Sequence, residues 1–166
     1  MIAPFETRRD GFTINTDRAR LDMDLIHRTL SSESYWAEGR AFDRIVRAFD
    51  HSLPFGLYAP DGALVGWARV ISDFATYAYL SDVWVLATHR GLGLSKFLMS
   101  AILAHPDLQD LRRWSLNTRD AHGLYEQFGF TALAEPAKAM ERRGPHPSHP
   151  SGGPLPSPAN GGRGSE

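Results

Sequence analysis

Apolar positions along the chain follow two periods, and the points where one gives way to the other mark out its elements. Phe12-Thr13-Ile14-Asn15 alternates as a short strand, and Thr16 or Asp17 caps a helix with Leu21, Leu25, Ile26 and Leu30 on one face. A polar loop runs from Ser31 to Glu38. Phe42, Ile45, Val46 and Phe49 then recur at three- and four-residue spacing and predict a second short helix. The apolar runs Leu53 to Ala59 and Ala63 to Ile71 flank Pro60-Asp61-Gly62, three turn-forming residues, so they read as a hairpin. Thr76 to Val85 is aromatic and β-branched and predicts a strand beside it. Helical spacing returns at Leu94, Phe97, Leu98, Ala101 and Ile102 and ends near His105-Pro106, because proline disfavours helix in the residue before it. Arg112 to Asn117 predicts a strand and Arg119 to Phe128 a helix closed by Gly129. Phe130 to Leu133 and Ala137 to Glu141 read as two terminal strands. This order of elements, with no internal repeat, predicts a mixed α/β (α+β) sheet and not a regular βαβ array.

Composition narrows this picture. A chain of 166 residues suits one domain, and a net charge of -1 gives no reason to expect nucleic acid or an anionic membrane as a partner. The absence of cysteine excludes disulfides, thiolate zinc sites and a cysteine nucleophile. Scattered histidines without metal-ligand spacing predict no metal site. Nothing resembles a leader peptide or a span of roughly 18 uncharged apolar residues, so a soluble cytoplasmic protein is expected. From Gly144 to Glu166 about half the residues are Pro or Gly, and Leu155 is the one sizeable apolar side chain. Such a segment buries too little surface to offset its ordering entropy. The expected organisation is a domain over residues 1–143 and a disordered tail over 144–166.

Candidate chemistry concentrates in Asp82 to Lys96, where a strand passes through a tight turn to a helix N-terminus. Gly91 and Gly93 let backbone approach a ligand, and the first N–H groups of the helix converge where its dipole favours an anion such as a pyrophosphate. Arg90, Ser95 and Lys96 can add hydrogen bonds to phosphate oxygens. The dinucleotide fingerprint is missing its third glycine, where Lys96 stands, and there is no GxxxxGK[ST] run. The bland alternative is a simple strand-to-helix connection.

The stretch resembles the acetyl-CoA motif of the GNAT superfamily of N-acetyltransferases, an apolar strand ending in Val followed by [QR]-x-x-G-x-[GA]. Here it reads Arg90-x-x-Gly93-x-Ser95, with Ser at the last small position. Some thirty residues on, Ala121-His122-Gly123-Leu124-Tyr125-Glu126-Gln127-Phe128-Gly129-Phe130 is similar to the family's A-x-x-L-Y-x-x-x-G-F segment. The resemblance implies a GNAT fold over about residues 12 to 141, a central sheet of about 6–7 strands with about 4 helices, splayed between its fourth and fifth strands. It implies an acetyl-CoA-dependent acyltransferase that acetylates a small-molecule or peptide amine without metal. Backbone at Val83, Trp84 and Val85 and the stretch Arg90, Gly91, Leu92, Gly93, Leu94, Ser95 and Lys96 would hold the cofactor. Asn117 and Thr118 stand where many members have an Asn that contacts pantetheine. Tyr125 matches the family's general acid on the leaving thiolate; its ordinary pKa of about 10 keeps it protonated.

The base is not set by motif. Asp82 is the first choice among possible bases for its place in the strand, with Glu33, Glu38 and His122 behind it, although a capping or pairing role suits Asp82 better than catalysis. Tyr125 also fits as a core residue between Leu124 and Phe128. Tyr35 and Trp36 are costly to leave exposed in a polar loop, and with Arg40 they are the acceptor-specificity candidates; Tyr79 can wall the same pocket. No GxSxG is present. Two rival functions stay open, a catalytically silent CoA-binding regulatory module and a protein N-terminal or lysine acetyltransferase. Many relatives dimerise, which allows a homodimer.

Overall fold

The computed structural model describes residues 4–142 and 144. It divides into two units, one through Ala134 and one from Glu135. The first is built on a six-stranded sheet whose spatial order is its chain order: β1 (Glu6–Arg9), β2 (Phe12–Asn15), β3 (Leu53–Tyr58), β4 (Leu64–Ser72), β5 (Tyr77–Val85) and β6 (Arg113–Ser115). Neighbours are antiparallel except β5 and β6, which run parallel. Helices α1 (Met23–Glu33) and α2 (Phe42–Asp50) join β2 to β3, α3 (Leu94–Leu103) joins β5 to β6, and α4 (His122–Glu126) follows β6.

Both faces of the sheet are covered, so β3 and β4 are buried along most of their length instead of alternating with solvent. On one face Phe97, Leu98, Ala101 and Ile102 of α3 pack with Phe55, Leu57, Val70 and Leu80. On the other, Ile26 and Leu30 of α1 and Ile45 and Phe49 of α2 pack with Tyr58, Leu64 and Trp67. Each such fully buried apolar side chain contributes roughly 1.5–3 kcal/mol.

Several expectations need correction. The sheet gains an N-terminal strand, β1, whose residues Glu-Thr-Arg-Arg show no apolar alternation because it is a partly exposed edge. It is set by the two-residue turn at Asp10 and Gly11, both with positive φ, which closes the hairpin with Arg9 opposite Phe12. The first helix begins at Met23, with Asp22 capping it through a bond from Leu25 N–H; Asp17 caps only a 3-10 turn over Arg18–Arg20. The strand expected over 112–117 keeps only Arg113–Ser115, and the helix expected over 119–128 only His122–Glu126. Phe130 to Leu133 and Ala137 to Glu141 are not strands. Phe130 turns onto Tyr125 instead, Leu133 is exposed, and Pro136, which has no N–H for a ladder, opens a 3-10 turn over Pro136–Lys138 in the second unit. Apart from Gly144, the tail expected to be disordered lies outside the described residues. With β1 counted, the strands expected to splay as fourth and fifth are β5 and β6.

Candidate functional site

β5 and β6 share only three register pairs, Tyr77 with Arg113, Ala78 with Trp114 and Tyr79 with Ser115. Among the described residues, the β6-facing edge of β5 has no strand partner from Leu80 to Val85. On its other edge the register with β4 slips between Trp67 and Arg69, which places one extra residue in β5. Asp82 sits in that bulge with φ 51, a left-handed conformation that Asp tolerates better than most residues. Leu86 N–H donates to the Val65 carbonyl at 2.9 Å. Strand alternation therefore turns the N–H groups of Val83 and Val85 toward the open edge, where Arg90 Nε donates to the Val85 carbonyl at 3.1 Å.

Beyond Val85 the chain makes a 3-10 turn, passes Gly91 (φ 80) and Gly93 (φ 70), and enters α3. The first intrahelical bond runs from Phe97 N–H to the Gly93 carbonyl at 3.1 Å, so the N–H groups of Leu94, Ser95 and Lys96 precede the ladder. A side chain at Gly93 costs roughly 1–2 kcal/mol in this conformation. Arg9 of β1 holds the same carbonyl from outside, its Nη2 at 2.9 Å and its guanidinium 4.5 Å from the centroid of the Phe97 ring. The cradle thus offers free N–H groups and Arg90, donors suited to a phosphate.

Across the opening stands Tyr125 on α4. Gly129 (φ 83) closes this short helix: Phe130 N–H donates to the Tyr125 carbonyl at 3.2 Å and Gly129 N–H to that of Glu126 at 3.1 Å, the paired bonds of a Schellman motif. The accompanying apolar contact is Phe130 against Tyr125, ring centroids 6.0 Å apart. The residues after the helix therefore orient the tyrosine. Burial, reinforced by neighbouring Tyr35 and Asp120, pushes its hydroxyl up to about 12. Ahead of the helix, Thr118 Oγ1 accepts from Ala121 N–H at 3.0 Å. Burial, with Tyr77 and Asp82 adding to it, also raises Tyr79, while a hydrogen bond with Asn117 and nearby Arg69 oppose that rise.

The third wall is made by side chains. Trp36, in the loop between α1 and α2, donates from Nε1 to Asp82 Oδ1 at 2.8 Å. Arg69 Nε donates to Asp82 Oδ2 at 2.5 Å, and its Nη2 to Ser81 Oγ at 3.1 Å. Both Asp82 oxygens are thus occupied, and its side chain is 2 % exposed. Trp36 also meets Trp84 edge-on, Tyr35 packs edge-on against Trp36, and the Arg119 guanidinium lies 4.0 Å from the centroid of Tyr35. Arg40 Nη2 donates to the Trp36 carbonyl at 2.9 Å.

These pieces enclose one cleft of about 680 Å³. Of the residues singled out from sequence, Val83, Trp84, Val85, Arg90 and Ser95 line it along the end of β5 and the start of α3, Asn117, Thr118 and Tyr125 along the segment after β6, and Tyr35, Trp36, Arg40, Tyr79 and Asp82 along the third wall. Gly91, Leu92, Gly93, Leu94 and Lys96 do not line it: Leu94 is in the core, Leu92 and Lys96 point to solvent, and these residues contribute chain path and backbone. Glu33 lines the cleft; Glu38 and His122 do not. Sequence reading missed Arg69, Arg119 and Asp120. A charged residue in the otherwise apolar run Leu64 to Ile71 was the available signal for Arg69.

The family model of the acetyltransferase (GNAT) family matches residues 23–130. A Gibberella zeae protein that carries an acetyltransferase designation is 30% identical over 141 residues, 74% of this chain and 80% of its own length. A crystal structure from Xanthomonas campestris pv. campestris, of a protein placed in the GNAT family, superposes with TM-score 0.78 at 55% identity over 81% of this chain and 94% of that one. A Clostridium acetobutylicum structure solved with acetyl-CoA shares the fold at TM-score 0.58 and 13% identity, covering 86% of this chain and 96% of that one. Among the described residues no helix is long and apolar enough to cross a membrane.

Proposed function

This chain belongs to the acetyltransferase (GNAT) family, and on that premise we propose that it transfers acetyl from acetyl-CoA to a primary amine by direct attack. The observation that carries the reading is the unpaired edge of β5 from Leu80 to Val85, facing Tyr125 across a cleft that ends at the first turn of α3. An extended chain rich in amides, such as pantetheine, completes such an edge as a strand would, through the N–H groups of Val83 and Val85. Its phosphates suit Arg90, Ser95 and the N–H groups at the start of α3. When bound, the thioester supplies an acyl carbon open to a neutral amine.

Each residue then has a stated task. The N–H groups on the open edge of β5 stabilise negative charge on the acyl oxygen. Tyr125 donates a hydrogen bond to the leaving sulfur as the N–C bond forms and the C–S bond breaks. A phenol at about 12 stays protonated. Burial holds the phenol well above an ordinary thiol, so hydrogen bonding in the transition state suits it better than early and complete proton transfer. The proton that the attacking nitrogen sheds as the amide forms ends on the sulfur, passed late through the Tyr125 hydroxyl, and the proton the ammonium loses before attack leaves through solvent or Glu33 at the open end. Asp82 we assign to positioning: a proton reaching either oxygen would displace Trp36 or Arg69.

Purified protein, acetyl-CoA and a diverse amine library, read by free thiol and by mass spectrometry, test the reading. The expected result is thiol release matched by one or more products heavier by one acetyl group. Binding of CoA without any acetylated product overturns it in favour of a silent CoA-binding module.

A further inference from the structure

The charged residues at the acceptor end do not all cancel. Arg69 is matched by Asp82, and Arg90 belongs to the donor end, against Val85 and Trp84. Arg119 lies 3.8 Å from Asp120, both exposed. Arg40 is different. It is partly buried, lines the cleft, and spends one N–H on the Trp36 carbonyl, and among the described residues no carboxylate lies within ion-pairing distance of it. A guanidinium with most of its donors unspent and part of its hydration removed is costly unless an anion meets it. Glu33, at the end of α1, lines the same cleft and likewise has no cationic partner among the described residues.

We propose that the acceptor is an amine that also carries a carboxylate, the carboxylate read by Arg40 and the ammonium drawn in by Glu33. Arg40 is suited to the task because the bond to Trp36 holds the guanidinium while leaving its fork free for a bidentate carboxylate. The same bond ties the recognition of the anion to Trp36, and through Trp36 to Asp82 in the β5 bulge beside the acyl site. A polyamine offers nothing to Arg40 and would leave its fork unmatched.

This inference rests on the proposed acetyl transfer, so its test reads binding as well as turnover. N-acetyl amino acids, the product type, and the matching N-acetyl amino-acid amides are titrated by calorimetry into CoA-saturated full-length protein. The expected result is that at least one acid binds about tenfold or more tightly than its amide, the worth of one charge-assisted contact. Arg40→Gln is expected to bring that acid down to its amide, and Arg40→Lys, which keeps the charge without the fork, to fall between. Equal binding of acids and amides, or binding of neither, overturns the carboxylate assignment, and the wild-type comparison does so without relying on any variant to fold. In the turnover arm, transfer to amines lacking a carboxylate at rates equal to amino acids overturns the inference alone. Failure of every amine overturns the transferase reading while the calorimetric result still stands.

Discussion

The donor end of the cleft, as we assign it to acetyl-CoA, is made of backbone: the open edge at Val83 and Val85 and the N–H groups that precede the α3 ladder. The end we assign to the acceptor is made of side chains, an indole on a carboxylate, a guanidinium on a carbonyl and another on a phenol ring. The backbone end needs the chain to follow a path, and glycines in a short stretch are enough to set it. The side-chain end needs partners from the α1–α2 loop, β4, β5 and the segment after β6 to arrive together. The donor end should therefore be sensitive to conformation and indifferent to most side chains, and the acceptor end the reverse.

The severest test of that contrast is Asp82→Ala. It leaves Arg69 buried without a counter-charge and releases Trp36, and a loss of about 3–5 kcal/mol in urea unfolding is expected. A loss below about 1 kcal/mol would show that the side-chain end is not held as described. Next comes Tyr125→Phe, between the two ends, which keeps the ring against Phe130 and removes the donor. The expected outcome is a fall in kcat on the order of 100-fold with the unfolding midpoint nearly unmoved. In the wild type, because burial pushes this hydroxyl up to about 12, kcat should show no basic decline through pH 10. A decline centred near 10 would identify an ordinary phenol.

At the backbone end Gly93→Ala is expected to weaken acetyl-CoA binding about tenfold in calorimetry, the equivalent of roughly 1–2 kcal/mol of strain, with little effect on the acceptor. The smallest effect belongs to His105, 1 % exposed and packed edge-on by Phe5 and Phe55. Burial lowers its pKa against the opposing pull of Asp107. The unfolded chain therefore binds more protons than the folded one just below about pH 6.5, so stability is full above that value and declines as pH falls through the lower folded pKa. Unfolding measured at pH 7.5 and 5.5 should show a decline that shrinks in His105→Leu; an equal decline in both would place its origin elsewhere.

The same contrast explains what the sequence disclosed. Gly91, Gly93 and Gly129 are local signals: α3 opens just past Gly93 as its glycines predict, while Gly129 follows a helix of only His122–Glu126, shorter than the expected 119–128. β1 escapes the apolar pattern because its exposed edge carries no alternation, although Asp10-Gly11 marks its turn. Phe130 has the look of a strand residue in isolation and is in fact the closing contact of α4, so the expected terminal strands do not form. At the site, Tyr35, Trp36 and Arg40 stand out in the sequence because aromatics in a polar loop need something to cover. What they cover, the Asp82 carboxylate and its Arg69 partner, depends on a register slip that nothing in the spacing of residues 64–85 reveals.

The sheet's chain-order layout bears on how the molecule assembles. Each of β1 to β5 finds its neighbour next to it along the chain, with only the α1–α2 segment interposed, while β6 must wait for α3 to cross the face of the sheet. A chain emerging from the ribosome can finish five strands before the gap between β5 and β6 has a second side. For that interval the open edge of β5 is an unsatisfied strand edge like any other, prone to pair with a second chain. The opening to which we assign the chemistry is also an exposed seam of its biosynthesis.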